Sequence, residues 1–253
     1  MLDEPYRWVE AIRNRREYLE DQLKSASPVV AQQYENGILL LTSTPGPRKI
    51  FEIYNQIAFA AVGHPTDIEK LRKAIIDIAH VEAFNLSARD VSLHRLVSFG
   101  IGPMMKTAFD EIFQSPYIAR VLVAQLDAND DDETFYTIDE DGSFSCAGEM
   151  ATVGGGADSK KVIMESASFD NNQTLEQALD RAIRAWAVGR LYSEGREPEN
   201  APTNEEILER ITTTLDSHQR FDAALLDRSL PKKTKFRLLP KVELDGALER
   251  LRT

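Results

Sequence analysis

Extended runs occur in groups along this chain, and amphipathic helical stretches occur between the groups. In the first group, short apolar runs flank Asn36-Gly37, a dipeptide that favours a tight hairpin because both turn positions need a positive φ. Residues 50–54 and 57–62 predict a second hairpin. Strands grouped apart from helices indicate antiparallel sheets that are covered by helices.

The helical stretches have clear signals at their ends. Thr66 and Glu69 have the spacing of a capping box, which satisfies free amides at a helix start. A helix that begins near Ser87 is interrupted at residues 100–103, where two glycines and a proline predict a kink or break. Other helices are predicted near residues 8–25, 158–166, 174–192, 205–215 and 242–252.

Later strands are predicted over residues 118–126, 135–138, 144–153, 221–226 and 235–239. Two antiparallel sheets packed face to face, with a helix pair on each outer side, would bury every apolar stripe. We therefore expect one α+β domain over residues 1–253, a four-layer αββα sandwich with an extra N-terminal helix.

The composition restricts the partners. A formal net charge of -11 argues against nucleic acid and anionic membranes, which attract basic surfaces. No apolar run reaches the roughly 18 residues that span a bilayer, and the first residues lack the apolar segment of a signal peptide. We expect a cytoplasmic protein. The single cysteine, Cys146, implies no internal disulfide.

Two segments suggest ligand sites but fit them poorly. The acidic run 127–133 resembles a calcium loop, yet Asp132 stands where that loop needs glycine and Ile138 where it needs glutamate, so a solvated loop is favoured. The glycines at 154–156 could cradle phosphate, but they match no phosphate-binding motif, and a tight turn is favoured. No histidine has zinc-ligand spacing, so we expect no metal and no cofactor.

Several segments, in order, resemble proteasome subunits of the bacterial α type. KIFEIYNQIAFAAVG, from Lys49 to Gly63, resembles the family signature, in which a lysine opens the third strand and a glycine ends the fourth. The other matching segments are PVVAQQYENGILLL, SPYIARVLVAQL, DGSF with ATVGGGADSKKVIME, TLEQALDRAIRAW and FDAALLDRSLPKKTKFRLL. Residues 196–219 form an extra connection that the resemblance does not place.

The resemblance implies an N-terminal-nucleophile hydrolase fold without the hydrolase activity. Active β subunits use an N-terminal threonine whose own amine acts as the base. Here Ala26-Ser27-Pro28 enters the first strand, and Leu41-Thr42-Ser43-Thr44 stands where the family has an acidic residue. The chain therefore resembles a non-catalytic α subunit. The alternative is a self-processing hydrolase that uses Ser27 as its nucleophile after cleavage behind Ala26.

The same resemblance implies a docking pocket for activators. Lys49 would pair with the C-terminal carboxylate of a ring-shaped ATPase or another activator, because a compact ammonium suits carboxylate capture. Gly63 and His64 match residues that line this pocket through their backbone. Ala26 matches a position that usually holds glycine.

The N-terminal segment is expected to have two parts. Residues 8–25 would form a helix across the cleft that β subunits leave open, and residues 1–7 would gate the axial pore. The gate residues are Met1, Leu2, Asp3, Glu4, Pro5 and Tyr6. The resemblance also implies a seven-membered ring of this chain, stacked on β-type subunits that cut unfolded proteins in transit.

Overall fold

The computed structural model describes residues 4–88, 90–111, 113–126, 134–154, 161–163, 173–197, 200–217 and 219–252. The helices are α1 (Glu4–Lys24), α2 (Pro65–Asn85), α3 (Leu93–Arg95), a π-helical stretch (Leu96–Ile101), α4 (Gly102–Asp110), α5 (Leu175–Ser193), α6 (Asn204–Asp216) and α7 (Lys241–Arg252). The strands are β1 (Val29–Tyr34), β2 (Gly37–Thr44), β3 (Ile50–Tyr54), β4 (Ile57–Gly63), β5 (Ala119–Gln125), β6 (Thr134–Ile138), β7 (Phe144–Ala147), β8 (Met150–Val153), β9 (Arg220–Asp227) and β10 (Phe236–Leu238).

The strands form two five-stranded sheets in which all neighbours are antiparallel. The first sheet has the order β10-β9-β2-β1-β8, and the second has the order β3-β4-β5-β6-β7. The predicted hairpin at Asn36-Gly37 joins β1 to β2. Gly37 has φ +144°, and a Cβ there would lie 2.0 Å from the carbonyl oxygen of Leu226, so this turn requires glycine.

Side chains that alternate along the strands build three apolar layers. Ile38 and Leu40 face the space between the two sheets, whereas Leu39 and Leu41 face the helices that cover the first sheet. Both faces of β2 are therefore buried, which explains its nearly continuous apolar sequence. Helices α5, α6 and α7 cover the first sheet, while α2 and the helical segment 93–110 cover the second. The predicted four-layer αββα sandwich is confirmed.

Three local predictions were wrong or incomplete. The run 144–153 was predicted as one strand, but it crosses between sheets: β7 pairs with β6 in the second sheet, and β8 pairs with β1 in the first. The expected interruption before Pro103 is a π-helical stretch, in which the amide of Gly102 donates to the carbonyl oxygen of Val97. The N-terminal helix begins at Glu4 and not at residue 8, because Pro5 fits the first turn of a helix.

Candidate functional site

Lys49 and Gly63 lie at neighbouring ends of the paired strands β3 and β4. The amide of Ala61 donates to the carbonyl oxygen of Lys49 at 3.2 Å, which places Lys49 opposite a residue only two positions before Gly63. Ile50 and Val62, next to these two residues, belong to the apolar cluster between the sheets, and Ala26 packs against the same cluster. The fold thus draws the ends of three predicted segments towards one region.

The backbone conformation at position 63 requires glycine. It has φ +131°, and a Cβ would lie 2.0 Å from the carbonyl oxygen of Ile118. The close approach exists because the next amide, that of His64, donates to that same oxygen at 2.8 Å. The backbone at this corner is therefore rigid, and the amide of His64 is already engaged.

His64 has a role that the sequence did not reveal. It is the N-cap of α2, and its Nδ1 accepts a hydrogen bond from the amide of Thr66 at 3.3 Å. The capping box predicted for Thr66 and Glu69 is wrong, because Pro65 already occupies the first turn and the helix starts earlier. Glu69 instead forms a two-pronged ion pair with Arg72, at 2.7 and 2.8 Å.

Lys49 is half-buried and electrostatically unsatisfied. Burial is the main cause that lowers its pKa from 10.5 to about 8, and the positive charge of Arg190 lowers it further, while Asp222 opposes both effects. Among the residues that the structure describes, its ammonium makes no hydrogen bond or ion pair. A desolvated cation of this kind is suited to binding a carboxylate.

The charges of Arg190 and Asp222 act on Lys49, and no local sequence pattern points directly to either residue. Arg190 donates to the carbonyl oxygen of Ser25 at 2.8 Å and pairs with Glu194 at 3.0 Å. Glu194 also pairs with Arg210 of α6. Only the spacing of Arg190 and Glu194 on one helix face could have suggested this network.

Ser27 is held in a structural contact. Its Oγ accepts a hydrogen bond from Nε1 of Trp186 at 3.0 Å. The carbonyl of the next residue, Pro28, accepts from Oγ1 of Thr42 at 2.8 Å. In the intact chain the nitrogen of Ser27 belongs to a peptide bond with Ala26, so it cannot act as an amine base.

Helix α1 is attached by a few apolar and several polar contacts. Leu19 and Leu23 are fully buried. Arg15 donates to the carbonyl oxygens of Phe109 at 2.8 Å and Glu111 at 2.9 Å, at the end of α4. Arg120 on β5 pairs with Glu20 of this helix. These contacts fix the second half of α1 on the body of the subunit.

The first half of α1 packs less closely on the body of the subunit than the second half does. Trp8 and Val9 in this half expose 47% and 65% of their surfaces, and Tyr18 in the second half exposes 51%. The predicted gate residues Glu4, Pro5 and Tyr6 lie in the first turns of this helix, which corrects the expectation of a separate segment over residues 1–7. Met1, Leu2 and Asp3 lie outside the described residues.

The other candidate sites receive little support. The acidic run 127–133 and most of the glycine-rich segment, residues 155–160, lie outside the described residues. Within the described ranges, no group of three or more His, Cys, Asp or Glu residues could hold a metal ion. In the same part of the chain, every helix is too short or too polar to cross a bilayer.

Comparisons with known proteins agree with the geometry of the fold. Residues 24–191 match the family model described as "Proteasome subunit". The chain is 27% identical to a protein named "Proteasome subunit alpha" from Actinosynnema mirum over 240 residues, which cover 94% of this chain and 84% of the relative.

Two further relatives carry the same name. The one from Frankia casuarinae is 31% identical over 180 residues, covering 70% of this chain and 74% of the relative. The one from Saccharopolyspora erythraea is 28% identical over 248 residues, covering 94% of this chain and 88% of the relative. With a family model that spans most of both sheets, the chain belongs to the proteasome subunit family.

Proposed function

We propose that this chain is a non-catalytic α-type subunit of a bacterial proteasome core particle. The observation that carries the proposal is the placement of helix α1, whose buried Leu19 and Leu23 lead directly into the start of β1. A hydrolase of this fold needs a free amine at that point. Ser27, the nucleophile in the alternative hypothesis, instead follows an attached helix and accepts a hydrogen bond from Trp186.

The subunit is proposed to form a seven-membered ring of identical chains. The exposed apolar side chains of α1, Trp8 and Val9 in its first half and Tyr18 in its second, support a contact with the next copy. A repeated head-to-tail contact closes into a ring when its rotation allows. We propose that this ring stacks on β-type subunits, which supply the N-terminal threonine protease, and that unfolded proteins pass through its pore under the control of residues 1–6.

The half-buried ammonium of Lys49 is proposed to receive the C-terminal carboxylate of a ring-shaped ATPase or another activator. Support comes from its lack of a partner among the described residues and from the rigid backbone at Gly63 and His64. The amide of His64 donates to Ile118, and its carbonyl oxygen accepts from the amides of Asp67 and Ile68. We therefore propose that the backbone of His64 lines the pocket by its shape and supplies no free polar atom. The cytoplasmic location that the sequence predicts stays a prediction.

Two measurements test the proposal. The chain is co-expressed with a β-type subunit from the same genome, purified, and examined by intact mass spectrometry and electron microscopy. We expect the chain to retain α1 and to form seven-fold rings that stack on β rings. A mature form that lacks the 26 residues before Ser27 would support the self-processing hydrolase instead.

A further inference from the structure

Arg190, near the end of α5, lies at the junction where α1 passes into β1. Its Nη1 donates to the carbonyl oxygen of Ser25 at 2.8 Å, and Ser25 directly precedes Ala26. Ala26 packs on the apolar cluster that contains Ile50, the residue after Lys49. This backbone contact therefore places the guanidinium group of Arg190 at the edge of the proposed docking site.

The guanidinium group of Arg190 has a donor that the protein does not use. Its side chain is 22% exposed, and its Nε lies 3.0 Å from Oε1 of Glu194. Within the described ranges, its Nη2 makes no hydrogen bond. Burial is the main cause of the lowered pKa of Lys49, and the charge of Arg190 adds to the effect. The two cations are therefore close enough to interact.

Glu194 cannot neutralise Arg190 alone, because it is shared with a second arginine. It also pairs with Arg210 of α6, which lies within the connection over residues 196–219 that the family resemblance does not place. The side chains of Arg190 and Arg210 are only 22% and 23% exposed, so solvent screens their charges weakly. One carboxylate between two guanidinium groups leaves one positive charge uncompensated.

The carboxylate of Asp222 is divided in the same way. Its charge opposes the lowering of the Lys49 pKa, while its Oδ1 lies 3.5 Å from Nε of Arg220. The four cations linked by these contacts thus share two carboxylates, which leaves two positive charges and favours a ligand with two negative charges. The cations are Lys49, Arg190, Arg210 and Arg220, and the carboxylates are those of Glu194 and Asp222.

We propose that the docking site binds a C-terminal segment whose last residue is aspartate or glutamate. The terminal carboxylate pairs with Lys49, and the side-chain carboxylate of the same residue accepts a hydrogen bond from Arg190. A planar guanidinium group suits this second role because its donors match carboxylate oxygens. The inference rests on the proposed docking of an activator terminus at Lys49, and it adds Arg190 as the residue that determines specificity.

The test measures fluorescence anisotropy of labelled hexapeptides with the full chain, in the oligomeric state in which it purifies. The first peptide is Gly-Ser-Gly-Ala-Leu-Glu with a free terminus, the second ends in Gln instead of Glu, and the third is the Glu peptide with an amidated terminus. We expect the first peptide to bind about tenfold more tightly than either of the others, because only it carries two carboxylates.

Variants of the chain assign the two carboxylates to their partners. Arg190→Gln should remove the advantage of the Glu peptide and leave the affinity for the Gln peptide unchanged, whereas Arg190→Lys should keep most of the advantage. Lys49→Ala should weaken both peptides with free termini by about tenfold. Arg184→Gln removes the same charge from another turn of α5 and should change neither affinity.

The results separate a failure of this inference from a failure of the docking function. If the Gln peptide binds through Lys49 but the Glu peptide binds no more tightly, or if Arg190→Gln retains the advantage, only this inference is wrong. If no peptide with a free terminus binds, or if Lys49→Ala changes neither affinity, both are wrong. Displacement of the Glu peptide by succinate or inorganic phosphate at equal concentration would assign the site to a free dianion. Circular dichroism of each variant establishes that it is folded.

Discussion

The surroundings of Lys49 favour binding of an anion, but they destabilise the charged side chain in the free subunit. Its half-buried ammonium lies near the like charge of Arg190 and the opposite charge of Asp222. We expect Lys49→Ala to abolish stimulation by an activating ATPase, because a desolvated ion pair is worth roughly 2–5 kcal/mol when one partner is removed. Ring assembly and cleavage of short peptides by the β partner should persist.

The measurement compares peptide and protein degradation with and without the activator. Lys232→Ala is the matched control, since this lysine is exposed on the loop between β9 and β10. Stimulation of the Lys49→Ala particle at the wild-type level would remove Lys49 from the docking site.

The lowered pKa of Lys49 predicts a pH-dependent stability. Its pKa falls from 10.5 in an unfolded chain to about 8 in the fold, so between these values the unfolded state binds more protons and the protein gains stability as pH rises. At pH 7 the buried charge is unfavourable. Lys49→Met should then stabilise the fold by about 1–3 kcal/mol.

Urea unfolding at pH 7 and pH 10 measures this effect. The advantage of Lys49→Met should shrink at pH 10, which lies above the folded pKa of about 8, because the lysine is then neutral in the fold and no charge is buried. An advantage of equal size at both pH values would show that packing, and not charge, causes it.

Gly63 is fixed by geometry that no side chain can share. A Cβ would lie 2.0 Å from the carbonyl oxygen of Ile118, and the φ of +131° is strained for other residues. We expect Gly63→Ala to destabilise the fold by about 3 kcal/mol. Gly148→Ala, where a Cβ meets no atom within 4 Å, should change stability by less than about 0.5 kcal/mol. Thermal unfolding of both variants compares them, and equal midpoints would contradict this account.

The residues of the site differ in how well the sequence predicted them. Lys49 and Gly63 lie inside one continuous signature, so their positions at the strand ends could be predicted. Arg190 and Asp222 lie more than a hundred residues further along the chain, and only the packing of α5 and β9 on the first hairpin brings their charges to Lys49. Local patterns carry no information about such contacts.

At the scale of elements, Arg120 is one of the polar attachments of α1. Its side chain is only 12% exposed and binds Glu140 at 2.7 Å, as well as Glu20 of the helix. Burial opposes its charge, but hydrogen bonds and attraction from Glu140 and Glu20 raise its pKa above the ordinary value. Arg120→Ala would leave the buried Glu140 without its cation.

We expect Arg120→Ala to lower stability by about 3 kcal/mol and to increase hydrogen exchange along α1. Arg13→Ala, which removes an exposed pair with Glu17 on the same helix, should change stability by less than about 0.5 kcal/mol. Mass spectrometry of deuterium uptake compares the two variants. Unchanged exchange in α1 after loss of Arg120 would show that Leu19, Leu23 and the hydrogen bonds of Arg15 suffice to hold the helix.

Most element types followed from periodicity and turn chemistry, whereas changes of sheet did not. Both N-terminal hairpins and the long helices were predicted because apolar spacing and the Asn36-Gly37 turn act locally. The split of residues 144–153 was missed, since both halves are extended and only long-range pairing with β6 and β1 distinguishes them. The start of α2 was misplaced because a histidine is an uncommon cap.

At the scale of the whole molecule, α1 predicts how copies associate. Trp8 in the first half of this helix and Tyr18 in its second half are both exposed. Trp8→Glu with Tyr18→Glu should prevent ring formation while the monomer stays folded, because charges would enter an apolar contact between neighbours. Native mass spectrometry gives the oligomeric state. Val242→Glu, at an exposed position on α7, is the control, and rings formed by the Trp8 and Tyr18 variant would exclude this contact.

The exposed apolar side chains of α1 also affect the solubility of newly made copies in the cell. A newly made copy presents Trp8, Val9 and Tyr18 to water until a neighbour arrives. Copies produced in excess would therefore adhere to one another or to chaperones, so balanced synthesis of all subunits protects their solubility.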